Sequence, residues 1–468
     1  MLTPTHSYII IDYLPQLIGL IYLFVFWPLL FQMKGLFGTR GILPMTPYLN
    51  SMLFGYGRKA YYYIPSIFWL NSSERMLVAV PFAGTILSVL TVVGIFPLLW
   101  IPILFFLHLS IKTTGQEFFS FGWESFFLEI SLYAYLLLIT PAPTIAMWWC
   151  LNLLLFRFHF EAGISKLLTY DANWRNLTAV DYHYLSQPIP NTIAWYAKKL
   201  PMKFQKFSCL MMFVAEILIP FFIFGTDDVR LVAFIGLVGL QFFIWLTGNF
   251  SYLNHMTFIF CMILLSDQFL EPIVGQVPHT ASNPLTVEII MGVIGGALIV
   301  GQLIRIVSHF YRNQFLLKPL IKISPFHVIN RYGIFAVMTT KRYEIIIEGS
   351  DDGEEWREYL FKWKPSELNR RPRRVSPYQP RLDWQIWFLP FTSCQYEPWI
   401  KNFLHRLLEG SPNVLKLIRE NPFPDKPPKF IRAQMYDYEY TTWEERKQTG
   451  NWWKRVYVSS YSPTYQLA

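Results

Sequence analysis

The sequence predicts a polytopic α-helical membrane domain of about nine spans, followed by a soluble α+β domain with an antiparallel sheet. Three observations predict it. Only 15% of the 468 residues are charged, 53% are hydrophobic and the mean hydropathy is +0.30, whereas soluble globular domains carry roughly a quarter charged residues. Apolar runs near the ~20 residues needed to cross hydrocarbon recur through the first two thirds of the chain. Charge is sparse from Met1 to about Leu316 and dense from Leu317 onward. The chain therefore divides into residues 1–316, a multi-pass transmembrane domain, and residues 317–468, a soluble domain of ordinary size.

The first predicted span is about Tyr13 to Phe31; it lacks a basic n-region and a small-residue cleavage site, so it reads as a span and not as a cleaved leader. The stretch GLFGTRGILPMTPYL that follows is punctuated by Gly and Pro and reads as a loop or re-entrant segment. Met76–Gly94 and Ile95–Ser110 are two spans joined by a tight turn at Gly94 and Pro97. Glu117, Phe121, Glu124 and Leu128 then fall at helical spacing on one face, with a span at about Trp123–Ile139. An acidic stripe of that kind faces protein or water, not lipid. Further spans are about Thr144–Leu168, Phe207–Phe224, Leu231–Thr247, Leu253–Leu270 and Val287–Val307. The last contains VIGGALIVG, whose small residues allow close helix packing.

From about Tyr332 the texture changes. Tyr343–Glu348 and Trp356–Trp363 read as strands joined by a turn at Asp352-Gly353. Trp399–Leu408 and Pro412–Arg419 read as short helices, and FIRAQMYDYEYT and NWWKRVYVSSY as further strands.

The formal net charge is +9. No clustered basic face or nucleic-acid motif accompanies it, so it is assigned to loops and not to nucleic-acid binding. Lys34, Arg40, Arg58, Lys59, Arg75, Lys198, Lys199, Lys203 and Lys206 fall in alternate loops, on the side of the basic C-terminal domain. With nine spans the positive-inside tendency points that side at the cytoplasm. The four cysteines lack CxxC or Cys/His metal spacing, and predict neither a disulfide framework nor a metal site.

Residues 157–201 concentrate costly charge. Arg157, His159, Glu161, Lys166, Asp171, Asp181 and His183 crowd a stretch placed in or against the membrane, where ionisable residues mark function or pairing. Lys166 is the sharpest candidate. A desolvated lysine can act as a base; the plainer reading is a lysine at a helix end or a partner of Asp171. Arg157 and Glu161 are four apart and suited to pair on one face. His159 and His183 lack a second ligand at metal spacing and read as structural. Gln187, Pro188 and Asn191 belong to QPIPN, whose prolines force extended backbone; it reads as a rigid recognition loop or a stiff connector. No Walker, GxSxG or HExxH motif occurs. A transporter reading through Glu129 and Glu216 finds no inverted repeat.

Several stretches carry a family resemblance: GQEFFSFGWESFFLE, FRFHFEAGISKLLTYDANWRNLTAVDYHYLSQPIPNTIAWYAKKLP, LTGNFSYLN, RYEIIIEGSDDGEEWREYLFKWKP, RRPRRVSPYQPRLDWQIWF and NPFPDKPPKFIRAQMYDYEYT. They resemble the lipase maturation factor family, nearly end to end. The resemblance implies a membrane-bound factor that helps secreted proteins such as lipases fold and assemble, with no cofactor. Its partners would be a secreted client such as a lipase, and the bilayer. Its place would be the endoplasmic reticulum membrane in a eukaryote and the inner membrane in a bacterium. Arg157, His159, Glu161, Asp171, Trp174, His183, Gln187, Pro188 and Asn191 lie in its signature block, as client-binding or structural positions.

AGISKL followed by DANW also resembles the membrane domain of vitamin K-dependent gamma-carboxylases, where GxKKLxxDW bears the catalytic lysine. Lys166 matches that lysine, while Ser165 stands where the family has the preceding lysine. This resemblance implies an alternative: a membrane enzyme using Lys166 as base on a lipid-soluble quinol, with a quinone as cofactor.

Overall fold

The computed structural model describes residues 7–275 and 281–467. Helix α1 (Tyr8–Leu29) opens the bundle. The stretch expected as a loop instead carries α2 (Met45–Tyr56), which starts after Pro44 and ends at Gly57, whose φ of 55° suits only glycine well. Then come α3 (Glu74–Val92), capped by the Ser73 hydroxyl, and α4 (Pro97–Thr114). Gly94, at φ 80°, turns the chain between them. Next are α5 (Gly122–Leu138), α6 (Ile145–Leu168) and the short α7 (Ala179–Ser186). Helix α8 (Met202–Phe213) continues through a π turn at Val214–Leu218 into a 3₁₀ turn at Ile219–Phe224. The region closes with α9 (Asp227–Thr247), α10 (Leu253–Cys261), α11 (Asp267–Val274), α12 (Leu285–Val307) and α13 (Gln314–Ile323).

Among the described residues, six helices are long and apolar enough to cross a membrane: α1, α3, α4, Met202–Phe224, α9 and α12. Leu253–Leu264 and Asp267–Val274 form a pair bent by 105°. The nine segments predicted from sequence thus resolve into those six, the bent pair, and α5 and α6. The last two carry most of the bundle's buried charges, including Glu124, Glu129, Arg157, Glu161 and Lys166. Glu117 does not share the α5 face expected of it, because it lies in a separate 3₁₀ turn, Gln116–Phe119. The small residues of α12 allow close packing on α6: a Cβ on Gly295 would stand 2.7 Å from that of Ala146. All four cysteines are buried and free.

The C-terminal part is built on an antiparallel sheet: β1 (Arg342–Ser350), β2 (Arg357–Glu358), β3 (Phe430–Tyr440), β4 (Trp453–Ser460) and β5 (Tyr465–Gln466). The order is β2-β1-β3-β4, with β5 on the end of β3. The second predicted strand, Trp356–Trp363, shrinks to two paired residues. After Glu358 the chain leaves the sheet to make one bridge, Leu360 to Glu420. The Asp352 turn forms as expected, its carboxylate accepting from the Glu354 and Glu355 amides. Helices α14 (Arg381–Ile386), α15 (Pro398–Leu408) and α16 (Trp443–Thr449) flank the sheet. The helix predicted over Pro412–Arg419 spans only Pro412–Leu415. Helix α16 begins in a Thr442/Glu445 capping box.

Sheet region and bundle share one hydrophobic core. Trp399 of α15 packs edge-on to Phe118, and Trp384 of α14 to Trp123 at the start of α5. Basic loops of the bundle reach the C-terminal part as the charge distribution predicts: Arg40 donates to the Glu409 carbonyl and Lys199 to that of Thr441. The deepest tie is Arg381. It enters the bundle to reach Glu124 at 2.8 Å, donates to the Phe118 carbonyl at 2.7 Å and lies over the Phe119 ring. Glu124 also holds His108 and the Tyr252 hydroxyl, each at 2.7 Å. Removing one partner of a buried ion pair leaves an uncompensated charge, at a loss of about 3–5 kcal/mol. Arg381→Met should therefore lower the thermal midpoint of the purified protein strongly, and Arg381→Met with Glu124→Gln should recover part of it. Thermal unfolding in detergent followed by intrinsic fluorescence measures both.

Candidate functional site

Lys166 sits near the C-terminal end of α6, buried, one turn past Ala162. Its ammonium lies 2.6 Å from the Glu216 carboxylate and donates to the Ala162 carbonyl at 3.1 Å. The Trp174 ring lies on its other side, 5.4 Å away. Glu216 is carried by the π turn in the span that begins at α8; single π turns often mark functional positions in helices. Gly163 makes the approach possible. A Cβ there would fall 2.6 Å from Ile217 and 3.0 Å from the Glu216 side chain. The partner of Lys166 is thus Glu216 and not Asp171. The Asp171 carboxylate instead caps the next turn, accepting from the Asn173 amide at 2.8 Å, and accepts from the Met338 amide at 2.6 Å.

Lys166 also borders a mainly apolar cavity of about 160 Å³ between α6, α7, α8, α9 and the segment around Phe335. His159, Trp174, His183 and Glu216 line it, with Gln241 and Asn254 from α9 and α10. His159 is buried; its Nδ1 lies 3.0 Å from the Leu155 carbonyl and its Nε2 has no partner. His183, on α7 outside the candidate spans, stacks on Phe250 and meets Phe335 edge-on. Burial pushes its imidazole down to about 4, and the Lys166 ammonium acts in the same direction. Trp174 is buried and donates to the Phe335 carbonyl at 3.1 Å.

Arg157 and Glu161 belong to a second, fully buried cluster. Arg157 meets Glu129 of α5 at 2.7 Å and Glu161 at 3.4 Å, with Tyr332 over its guanidinium. The segment that leads from bundle to sheet plugs this cluster. The Asn330 amide and side chain, both at 2.9 Å, and the Tyr332 hydroxyl at 2.6 Å donate to Glu129. The Tyr332 amide donates to Glu161 at 2.8 Å. Both Glu129 oxygens and the Glu161 oxygen facing the plug accept hydrogen bonds within the protein, so this cluster ties the connecting segment to α5 and α6.

Gln187, Pro188 and Asn191 form a third group. The recognition-loop reading of QPIPN fails on burial: all five of its residues are buried. Gln187 donates to the Thr247 carbonyl at 2.9 Å and Asn191 to that of Leu246 at 3.0 Å. The Asn191 side chain caps the helix Thr192–Ala197. From the sheet, Arg342 donates to the carbonyls of Leu185, Gln187 and Pro188. Its charge is matched by Glu344, which Lys364 also holds at 2.9 Å. QPIPN is therefore a clamp that fixes the sheet to the bundle.

Sequence reading missed Glu216 as the partner of Lys166, and Arg342 and Arg381 as the anchors of the C-terminal part. For Glu216 a signal existed: a lone carboxylate in an apolar run requires a cation. Nothing local distinguishes Arg342 or Arg381 from their basic neighbours. As a base site the Lys166 pocket fits poorly. The amine is already engaged by a carboxylate at 2.6 Å and a carbonyl at 3.1 Å, so the residues present do not suit a base acting on a quinol.

Residues 11–272 match the family model described as the lipase maturation factor transmembrane domain, and residues 328–463 that of the lipase maturation factor C-terminal domain. Among similar proteins, lipase maturation factor 1 of Bos taurus is 30% identical over 95% of this chain and 87% of its own length. Lipase maturation factor 1 of Homo sapiens is 29% identical over 96% of this chain and 86% of its own length. Lipase maturation factor 2 of Xenopus laevis is 29% identical over 96% and 81%. No solved structure matches the chain.

Lys166→Met should strand the Glu216 carboxylate and destabilise the protein by about 3–5 kcal/mol. Lys166→Met with Glu216→Leu should recover most of that. The thermal midpoints of the two variants, each purified in the same detergent, measure it. A double variant no more stable than the single would show that the pair does not hold the helices together.

Proposed function

The chain belongs to the lipase maturation factor family, and from that premise we propose that it is a membrane-anchored folding and assembly factor for secreted proteins such as lipases, acting by binding alone. It is an integral membrane protein, so it acts at a bilayer surface: the endoplasmic reticulum in a eukaryote, the inner membrane in a bacterium.

One observation carries the reading: the free edge of β4. This strand ends the sheet order, so its outer backbone groups face no further strand among the described residues. Val456, Tyr457 and Val458 are 70%, 55% and 42% exposed. The strand bulges at Val458, which is left unpaired between Tyr457 opposite Tyr436 and Ser459 opposite Met435. An open, apolar edge is a template for an incoming extended segment. A client not yet folded supplies such segments. The clamp at QPIPN and the Arg381 tie would hold this edge at a fixed place on the membrane domain. Binding of this kind needs neither cofactor nor reactive side chain.

For a secreted client the edge must face the compartment in which the client folds. That runs against the side indicated by the lysine and arginine count, but long domains translocate largely regardless of charge. Protease added to sealed microsomes should therefore leave the C-terminal part intact until the membrane is permeabilised.

The direct test replaces Val456 and Val458 together by Lys. Client maturation, read as secreted lipase activity per unit of maturation factor, should fall several-fold while the factor's abundance and thermal midpoint stay unchanged. Unaltered maturation would place the client contact elsewhere. Truncation from about Ser324 is a poorer test, because it also removes Asn330, Tyr332, Arg342 and Arg381 from the bundle's buried clusters.

A further inference from the structure

The cavity beside Lys166 carries a chemical specificity independent of the β4 edge. The Leu155 carbonyl can only accept, so His159 Nδ1 carries the proton and Nε2 of the neutral ring is an acceptor. That nitrogen is buried and unpartnered. Asn254 gives the same result from the opposite wall. Its amide nitrogen points at two acceptors, the Gln241 side-chain oxygen at 2.8 Å and the Gln241 carbonyl at 3.4 Å. The amide orientation is thereby fixed, and Asn254 Oδ1, also buried, is left without a donor. Among the residues lining the cavity, both unpartnered buried polar atoms are therefore acceptors. Buried acceptors left unpaired are costly. Lys166 and Glu216 neutralise one another and Trp174 is engaged by a carbonyl; the other polar groups on the wall are His183, Tyr184, Ser208 and Gln241.

The remaining wall is apolar and runs outward. Met212 belongs to the span that begins at α8, and Leu240, Phe243 and Ile244 to α9, both of them candidate spans. Phe243 is 65% exposed on the outer face of α9. The cavity is thus reached from the side that hydrocarbon covers. A volume near 160 Å³ is on the order of an apolar cavity that takes up benzene; it suits one end of a lipid and not a whole one.

We propose that this cavity binds the hydroxyl end of an apolar membrane lipid, the O–H donating to His159 Nε2 or Asn254 Oδ1 and the hydrocarbon passing out between α8 and α9. The shared chemistry is an alcohol on an apolar body, which an acylglycerol or a sterol would supply. A fatty acid anion or a phospholipid headgroup brings negative charge to two acceptors and is disfavoured.

The test uses the full-length protein in nanodiscs with four probes: dioleoylglycerol, cholesterol and the methyl ether of each. At least one alcohol should bind saturably, and its methyl ether, which cannot donate, about tenfold more weakly. The alcohol that binds identifies the source. His159→Phe should reduce that preference to about threefold or less while leaving the thermal midpoint near that of the parent. If His159→Phe fails to fold, Ser208→Trp, which narrows the cavity from α8, should weaken the alcohol at least tenfold. Equal binding of alcohol and ether, the result expected if water satisfies both acceptors, would overturn the proposal. So would the absence of saturable binding by either alcohol, or a full preference kept by folded His159→Phe.

Discussion

The structure depends on how Glu129 is satisfied. A carboxylate at the centre of an apolar bundle is tolerable only when both oxygens are occupied. Arg157, Tyr133, Tyr332 and Asn330 occupy them. Two of these four lie far along the chain, in the segment that connects the last helices to the sheet. The bundle is therefore incomplete without residues that follow it. The same logic repeats at Glu124, completed by Arg381, and in reverse at QPIPN, where bundle carbonyls are completed by Arg342. Three buried polar centres, each finished by the C-terminal part, join two regions that differ sharply in composition.

This explains what the sequence could and could not reveal. Apolar run length located every long helix, because lipid leaves few alternatives for a backbone. Runs of β-branched and aromatic residues located β1, β3 and β4, although β1 is buried almost throughout and β4 is largely exposed. The β2 region misled because the strand-like texture of WREYLFKW persists past Glu358 while the backbone departs to bridge Glu420. The α2 helix hid among Gly and Pro residues that cap it and do not break it. In the candidate site, the expensive residues were legible as a set, since Arg157, Glu161 and Lys166 stand out in any apolar helix. Their pairing was not. Lys166 chooses Glu216, fifty positions away, because Gly163 and a π turn bring that one carboxylate into reach. No local pattern encodes such a meeting.

The neighbouring fates of Arg157 and Lys166 show how one helix does two jobs. Both are cations on α6 and both meet carboxylates. Arg157 is enclosed by a plug of backbone and tyrosine. Lys166 is only half enclosed: Trp174 covers one side and the cavity lies on the other. Its salt bridge removes net charge from the wall, which leaves the character of the cavity to neutral groups, among them the unpartnered acceptors of His159 and Asn254. A site of that kind reads hydrogen-bond donors in an apolar molecule far better than it moves protons.

The anchoring also bears on how a sheet with an open edge avoids pairing with itself. A soluble sheet carrying Val456, Tyr457 and Val458 on a free edge would risk edge-to-edge association. Here the sheet is bound to a membrane body at two buried arginines, Arg342 and Arg381, so its edge has one position relative to the bilayer. Held in this way, the sheet cannot turn its edge independently of the bundle. The buried charges that make the two regions inseparable thus also fix where the β4 edge lies on the membrane body.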